Sequence, residues 1–81
     1  MHFCIYLNKI EHTEKYVRYE YYSYDSPDKI GIIELNFISD KFKEVQPAAN
    51  DTNGYLFERA GMKIVKHWKK AEFPDNTCWV S

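Results

Sequence analysis

The sequence has few cysteines, glycines and prolines, and each shortage excludes a class of protein. Its 81 residues include two Cys, three Gly and three Pro. Two cysteines are too few for a disulfide-stabilised scaffold of this size, so we expect Cys4 and Cys78 to be free thiols. Three glycines and three prolines are also too few for a disordered or low-complexity chain.

Long apolar runs are missing as well. No segment approaches the ~18 consecutive apolar residues of a membrane-spanning helix. The N-terminal segment is interrupted by His2, Asn8 and Lys9, so it does not have the apolar centre of a signal peptide. We therefore expect a soluble, cytoplasmic protein that makes no membrane contact.

Neither sign of charge is in excess. The chain carries 11 basic and 12 acidic side chains, and its formal net charge at pH 7 is −1. This balance excludes a nucleic-acid-binding protein that is basic throughout, although it leaves room for a local basic patch.

The sequence also lacks the spacings typical of metal and catalytic sites. Its three histidines are scattered, no HxxxH, CxxC or HxxE pattern occurs, and Gly31, Gly54 and Gly61 are isolated. A chain this short has little room for a typical substrate pocket of ~300–1,000 Å³. We therefore expect a protein that is not an enzyme and has no cofactor and no metal.

What the sequence does contain is aromatic and apolar residues. Aromatic residues make up 17% of the chain and hydrophobic residues 44%. That content is sufficient for one small core, and the length predicts a single domain over residues 1–81.

The N-terminal half alternates with a period of two, which predicts β-strands. Phe3, Ile5 and Leu7 alternate with more polar residues, and residues 15–24, 30–38 and 42–46 form three further candidate strands. Residues 8–14 are polar and favour a hairpin connection. Short connections favour pairing between neighbours, so we expect an antiparallel meander of four strands.

After Pro47 the period changes to that of a helix. Residues 55–71 carry apolar side chains at steps of three and four, which predicts a long amphipathic helix ended by Pro74. Gly61 lies within the apolar positions, and we expect it to mark a close approach of helix to sheet. The predicted fold class is thus α+β: a four-stranded antiparallel β-meander, one long C-terminal α-helix packed on one face, and a short docked C-terminal tail.

A single helix covers only one face of such a sheet. We expect the odd-numbered residues to form the core with the helix residues Phe57, Ile64 and Trp68. The core residues from the strands are Phe3, Ile5, Leu7, Val17, Tyr19, Tyr21, Ile33, Leu35 and Phe37. The even-numbered residues then form the other face: Tyr6, Tyr16, Arg18, Glu20, Tyr22, Tyr24, Ile30, Ile32 and Glu34.

This even-numbered face has three interpretations. Tyr and Arg are enriched at protein interfaces, which favours a partner-binding surface. Cross-strand Tyr pairs also stabilise a solvent-exposed sheet without any partner. The third interpretation is a platform on which nucleic-acid bases stack.

Charge is unevenly distributed along the chain. Residues 1–54 hold six basic and nine acidic side chains, whereas residues 55–81 hold five and three. Arg59, Lys63, Lys66 and Lys70 follow steps of four, three and four and form what we call the basic stripe. The stripe is either a solvated helix face or a surface that attracts an acidic protein or a phosphate backbone.

The C-terminal third carries a family resemblance. Residues 57–64 (FERAGMKI), the Lys66-His67-Trp68 string and residues 72–79 (EFPDNTCW) resemble short bacterial immunity proteins of polymorphic or contact-dependent toxin systems. The resemblance implies a non-catalytic inhibitor that covers the active site of a cognate toxin or a surface beside it.

The leading functional hypothesis is therefore a small binding protein that neutralises a toxin domain. We expect its partner-binding residues to be Tyr16, Arg18, Glu20, Tyr22, Tyr24 and Glu34. Two alternatives stay open. One is a nucleic-acid-binding module that uses the basic stripe and exposed Tyr side chains, although nucleic acid is the less favoured partner. The other is a structural homo-oligomer that buries the Tyr-rich face against a second copy.

Overall fold

A computed structural model describes residues 3–80 of the chain and shows five strands and one helix in one layer each. The elements in chain order are β1 (Cys4–His12), β2 (Tyr16–Ser23), β3 (Gly31–Asn36), β4 (Lys41–Gln46), α1 (Tyr55–Lys69) and β5 (Asn76–Val80). The sheet order is β4-β3-β2-β1-β5, and every neighbouring pair is antiparallel. The α+β class, the antiparallel meander and the C-terminal helix are confirmed.

The predicted number of strands is wrong, because the sheet has five and not four. The docked C-terminal tail is itself a strand, β5, which pairs with the outer side of β1. Trp79 lies opposite Ile5, and Thr77 lies opposite Leu7. The tail thereby satisfies main-chain groups of β1 that a four-stranded meander would leave unpaired.

The helix is shorter than predicted: α1 has 15 residues and ends at Lys69. Ala71 takes a left-handed conformation, with φ 54°. Its N–H donates to the Trp68 carbonyl at 2.8 Å, and the Glu72 N–H donates to the His67 carbonyl at 3.1 Å. These two bonds close the helix well before Pro74, which is therefore not the residue that ends it.

The core lies between α1 and the odd-numbered face of the sheet, as the period of two predicts. Tyr19, Tyr21 and the aliphatic residues of the predicted set are buried, and Phe3, Phe37, Phe57 and Trp68 pack around them while partly exposed. The complete buried hydrophobic set is Ile5, Leu7, Val17, Tyr19, Tyr21, Ile33, Leu35, Ala48, Leu56, Ala60 and Ile64. The helix α1 is not long and apolar enough to cross a membrane.

Of the two glycines that face the core, Gly31 and not Gly61 is required by packing. Gly31 lies opposite Tyr21, and a Cβ atom at Gly31 would come within 2.6 Å of the Tyr21 hydroxyl oxygen. A Cβ atom at Gly61 would meet Ile33 and Phe42 at 3.7 and 3.8 Å, which is ordinary van der Waals contact. The expected close approach of helix to sheet at Gly61 is therefore wrong.

The predicted hairpin connection between the first two strands is confirmed, but its bounds of 8–14 are wrong, since β1 continues to His12 and β2 begins at Tyr16. The Lys9 N–H donates to the Asp75 carbonyl at 2.7 Å, and Lys9 Nζ donates to the Phe73 carbonyl at 2.9 Å. The pairing of β1 with β2 then shifts by one residue, because Lys9 lies opposite Tyr19 and Glu11 lies opposite Arg18. This bulge turns the Glu11 side chain to the face away from α1.

Candidate functional site

The sheet surface opposite α1, which we call the open face, is the largest feature that the core does not explain. Strand pairing places Tyr6, Asn8 and Glu11 of β1 on it, together with alternate residues of the other strands. The further members are Cys4, Tyr16, Arg18, Glu20, Tyr22, Ile32, Glu34, Asn36, Lys41, Lys43, Asn76, Cys78 and Val80.

A row of alternating charge crosses four strands of the open face. Lys43, Glu34, Arg18 and Glu11 lie opposite one another in that order, on β4, β3, β2 and β1. Arg18 Nε donates to Glu34 Oε1 at 2.8 Å, and Arg18 Nη1 lies 3.5 Å from Glu11 Oε1. The charges of this row therefore cancel within the row itself.

Arg18 is held from three sides. Its guanidinium lies between the two carboxylates, and its Cζ atom lies 4.9 Å from the centre of the Tyr16 ring. The hydrogen bond to Glu34 raises the pKa of Arg18, so the guanidinium is charged at every physiological pH. Glu11 raises the pKa of the Tyr16 hydroxyl by favouring its protonated form, so Tyr16 is a neutral hydrogen-bonding group. The site is thus ordered before any partner arrives.

Beside the charge row lies an aromatic and polar region. Tyr6 and Tyr22 are directly opposite each other on β1 and β2, and their ring centres are 5.8 Å apart. Asn8 Nδ2 donates to Glu20 Oε1 at 3.3 Å in the row between this pair and the charge row. Tyr6 is 42% exposed, and Tyr22 is half-buried.

The structure brings five of the six predicted partner-binding residues onto one surface. Tyr16, Arg18, Glu20 and Tyr22 follow one another along β2, and Glu34 lies opposite Arg18. Glu34 is only 8% exposed, so it supports Arg18 more than it offers a contact of its own.

The sixth predicted residue, Tyr24, lies apart from the other five. It falls in the turn after β2, where its N–H donates to the Cys4 carbonyl at 3.1 Å. Its ring lies roughly perpendicular to that of Phe3. Phe3 in turn packs against Tyr55, at the start of α1, and Trp79 of β5. Tyr24 therefore borders the open face instead of extending the row along β2.

Three open-face residues were missed as site residues. Glu11 was assigned to a loop, and only the bulge in β1 places it beside Arg18. Lys43 lies opposite Glu34, a pairing that depends on the register of β4. Tyr6 is predicted on this face but is not among the predicted binding residues. The antiparallel pairing of the first two strands, which places Tyr6 opposite Tyr22, is the feature that identifies it.

The basic stripe lies on the other side of the sheet, along the flank of α1 that faces β5. Arg59 Cζ is 4.4 Å from the ring centre of Tyr55 and 5.6 Å from that of Trp79, and Arg59 pairs with Glu58 at 2.9 Å. Lys63 borders a surface pocket with Thr77. Lys66 and Lys70 are exposed. Arg59 is thus already engaged, and the lysines supply the accessible positive charge.

His67 connects the stripe to the strand. Its Nε2 lies 2.8 Å from Thr77 Oγ1 of β5. Burial, and then the positive charges of Lys63 and Lys70, lower the pKa of the His67 imidazole, and Glu72 opposes the shift. Lys63 and Lys70 are therefore close enough to the β5 side of the helix to act electrostatically on a residue in contact with it.

Comparisons with known proteins add no relative. No protein-family model, curated protein or solved structure matches this chain.

The groups of the open face suit the binding of another molecule. Across residues 3–80, no group of three or more His, Cys, Asp or Glu side chains is arranged to hold a metal ion. Cys4 and Cys78 are half-buried free thiols on neighbouring strands, as predicted. His12 packs between the rings of Phe37 and Phe73, away from both cysteines in the fold. What remains is an ordered surface of rings, amides and paired charges.

Proposed function

We propose that this chain is a small binding protein of the bacterial immunity type, whose open face binds a toxin domain and blocks it. The observation that carries the proposal is the ordering of Arg18 by Glu34, Glu11 and the Tyr16 ring in the middle of a Tyr-rich sheet surface. Folding the core does not require this arrangement, since α1 and the odd-numbered residues form the core on the opposite side.

Preorganisation supports a binding role. A side chain that is already fixed loses less conformational entropy when a partner covers it, by about 0.5–1.5 kcal/mol for each rotamer-rich residue. Tyr and Arg are also the residues that most often dominate interface energetics. Tyr6, Tyr16, Arg18 and Tyr22 provide four such side chains within two adjacent strands.

The size of the face constrains the interface. Five strands spaced by ~4.8 Å, with about six residues each, give a projected area of roughly 24 Å by 20 Å, or about 500 Å². A standard interface covers about 800 Å² on each partner. Because side chains make the accessible area of a face larger than its projected area, the open face can supply a large share of such an interface.

The charge of the face favours a protein partner over a nucleic acid. Lys43, Glu34, Arg18 and Glu11 neutralise one another, so the face offers no net positive field to a phosphate backbone. The nucleic-acid alternative needs the basic stripe and the open-face tyrosines on one surface. Lys63 and Tyr6 line one pocket beside β5, but Tyr16 and Tyr22 lie on the side of the sheet away from the stripe. The aromatic rings beside Arg59 are those of Tyr55 and Trp79.

A co-expression experiment tests the proposal. Proteins that cross-link to this chain in its native cells are cloned and expressed in an indicator strain, alone and together with the chain. We expect one partner to stop growth when alone, and the wild-type chain to restore growth.

Three variants locate the surface. Tyr22→Ala and Glu20→Arg should each abolish the protection, because they change the centre of the open face. Tyr55→Ala removes a tyrosine that is 41% exposed on the helix side of the sheet, and should retain protection. A partner that is not toxic, or protection that Tyr22→Ala and Glu20→Arg leave intact, would disprove the proposal. A chain that purifies only as a homo-oligomer buried through Tyr22 would also disprove it.

A further inference from the structure

The outer edge of β5 is the second surface that the fold leaves unexplained. Within residues 3–80, the only strand that pairs with β5 is β1. The Lys9 N–H bond to the Asp75 carbonyl fixes which main-chain groups face which way. Since the pattern alternates, Thr77 and Trp79 direct their N–H and C=O groups to β1, and Cys78 directs its own outward. Asn76 and Val80 follow the same alternation as Cys78.

The two edge strands of the sheet, β4 and β5, differ in how well they are protected against pairing with another chain. Exposed edge strands usually carry charged side chains, a bulge or a proline that discourages pairing with another chain. The edge strand β4 has Lys41 and Lys43, and its register with β3 shifts between Ile32 and Ile33. β5 has the sequence NTCWV, without a charged residue, and pairs with β1 without a shift. β5 is therefore the edge that is open to an added strand.

Positive charge lies beside that edge. Arg59 stacks near Trp79, and Lys63 lines a pocket of about 380 Å³ together with Tyr6, Asn76, Thr77 and Cys78. Lys63, Lys66 and Lys70 continue along the same flank of α1. The eleven residue steps from Arg59 to Lys70, which follows the last residue of α1, span ~16 Å and match a strand of about five residues.

We propose that the outer edge of β5 binds an extended acidic segment of a protein partner as a sixth strand of the sheet. The main chain of the segment pairs with Asn76, Cys78 and Val80. Every second side chain of the segment lies on the helix side of the sheet, where acidic groups meet Lys63, Lys66 and Lys70. The side chains of Asn76, Cys78 and Val80 belong to the open face, but the segment pairs with their main-chain groups at the edge of the sheet. The peptide test involves no toxin, so its failure and the failure of the proposed function are distinguishable.

A second copy of this chain and a nucleic acid are the two other candidates for this edge, and both fit it less well than an acidic segment. A second copy that pairs through its own β5 would bring two basic stripes side by side about the two-fold axis, which like-charge repulsion disfavours. A nucleic acid would satisfy the lysines but has no peptide groups for the outward N–H and C=O of Cys78. An acidic peptide strand satisfies both features.

The test is a titration of the full chain with the peptide Thr-Glu-Val-Glu-Val-Glu-Thr, and NMR measures binding and the exchange of main-chain amides. We expect saturable binding, with amide hydrogen exchange slowed at Cys78 and Val80 and little changed at Thr77 and Trp79, which are already paired. The pKa of His67 should rise on binding, because added carboxylates offset the positive charges of Lys63 and Lys70. A peptide with Lys in place of each Glu should not bind.

Two double variants of equal charge serve as test and control. Lys63→Glu with Lys70→Glu should weaken peptide binding by at least about 10-fold, which corresponds to two lost ion pairs converted to repulsions. Lys29→Glu with Lys41→Glu changes the net charge equally at exposed sites away from β5, and should weaken binding by less than about twofold.

Three results would overturn the inference. One is binding of a single-stranded oligothymidylate that is tighter than peptide binding and does not protect the Cys78 amide. Another is a concentration-dependent dimer whose Cys78 amide is protected without peptide. The third is peptide binding that protects no β5 amide or that both double variants weaken equally, since the segment would then not lie along this edge.

Discussion

Arg18 and Glu34 form an ion pair at 2.8 Å across β2 and β3, in which the Glu34 side chain is 10% exposed and the Arg18 side chain 33%. The pair lies in the interior of the open face, with Lys43 opposite Glu34 on one side and Glu11 opposite Arg18 on the other. A nearly buried carboxylate whose cationic partner is removed stays desolvated and unpaired. Arg18 therefore has a structural role as well as the proposed role in binding.

A double-mutant cycle tests this structural role. Arg18→Met should lower the free energy of unfolding, because Glu34 loses its partner while it remains largely covered. Adding Glu34→Leu to Arg18→Met should recover much of the loss, since an apolar pair needs no compensating charge. Urea denaturation of the four proteins measures the coupling. Equal and additive losses would show that the pair is not coupled.

The two core-facing glycines should respond in opposite directions to the same change. Gly31→Ala forces a Cβ atom into the Tyr21 ring, and overpacking of this kind costs about 1–3 kcal/mol. Gly61→Ala meets only ordinary contacts and removes a glycine from a helix interior, so it should stabilise the fold by up to about 1 kcal/mol. Thermal denaturation distinguishes them, because 1 kcal/mol corresponds to a shift of about 4–8 °C in a domain of this size.

The helix end gives a second pair of opposite outcomes. Ala71 has φ 54°, a conformation that glycine adopts without the steric cost of a Cβ atom. Ala71→Gly should therefore raise the free energy of unfolding by about 1 kcal/mol. Ala60→Gly, in the buried interior of α1, should lower it by about 1 kcal/mol or more. A loss of stability in Ala71→Gly would contradict the proposed helix termination.

Alkaline pH should unfold the protein through its buried tyrosines. Burial, with the charge of Asp75 as a lesser cause, raises the pKa of Tyr19 from its ordinary value of 10 to about 12. The Tyr19 hydroxyl donates to the Pro74 carbonyl at 2.6 Å. Because the folded state holds this proton more tightly than the unfolded state, its contribution to stability is complete below pH 10 and is lost as the pH rises towards 12.

Phenolate absorbance and far-ultraviolet circular dichroism, recorded over the same pH range, measure this effect. Burial also raises the pKa of Tyr21, whose hydroxyl is buried. We expect the exposed tyrosines to titrate first without loss of the sheet signal, and Tyr19 and Tyr21 to titrate together with unfolding. Full phenolate formation with an intact sheet signal would contradict the assignment of buried tyrosines.

The core could be predicted from the sequence, because a strand that is buried on one face alternates apolar residues with more polar ones. Leu7, Val17 and Leu35 alternate with polar or aromatic neighbours, and all three are fully buried. The open face followed from the same alternation, since the residues between core positions on β2 must point the other way.

Other features depend on contacts that the pattern does not contain. β5 has five residues with little alternation, and it is a strand because β1 offers unpaired main-chain groups. The bulge at Ile10 arises where Lys9 bonds to Phe73 and Asp75, residues more than sixty positions away. The end of α1 rests on a left-handed alanine, a residue type that gives no sequence signal for that conformation.

The most direct test of the central claim is the affinity of the proposed toxin partner for two matched tyrosine variants, measured by isothermal titration calorimetry. Tyr6 and Tyr55 are equally exposed, but Tyr6 lies on the open face and Tyr55 on the helix side. We predict that Tyr6→Ala raises the dissociation constant by about 10-fold or more and that Tyr55→Ala changes it by less than about threefold. The reverse order, or equal effects, would contradict the account.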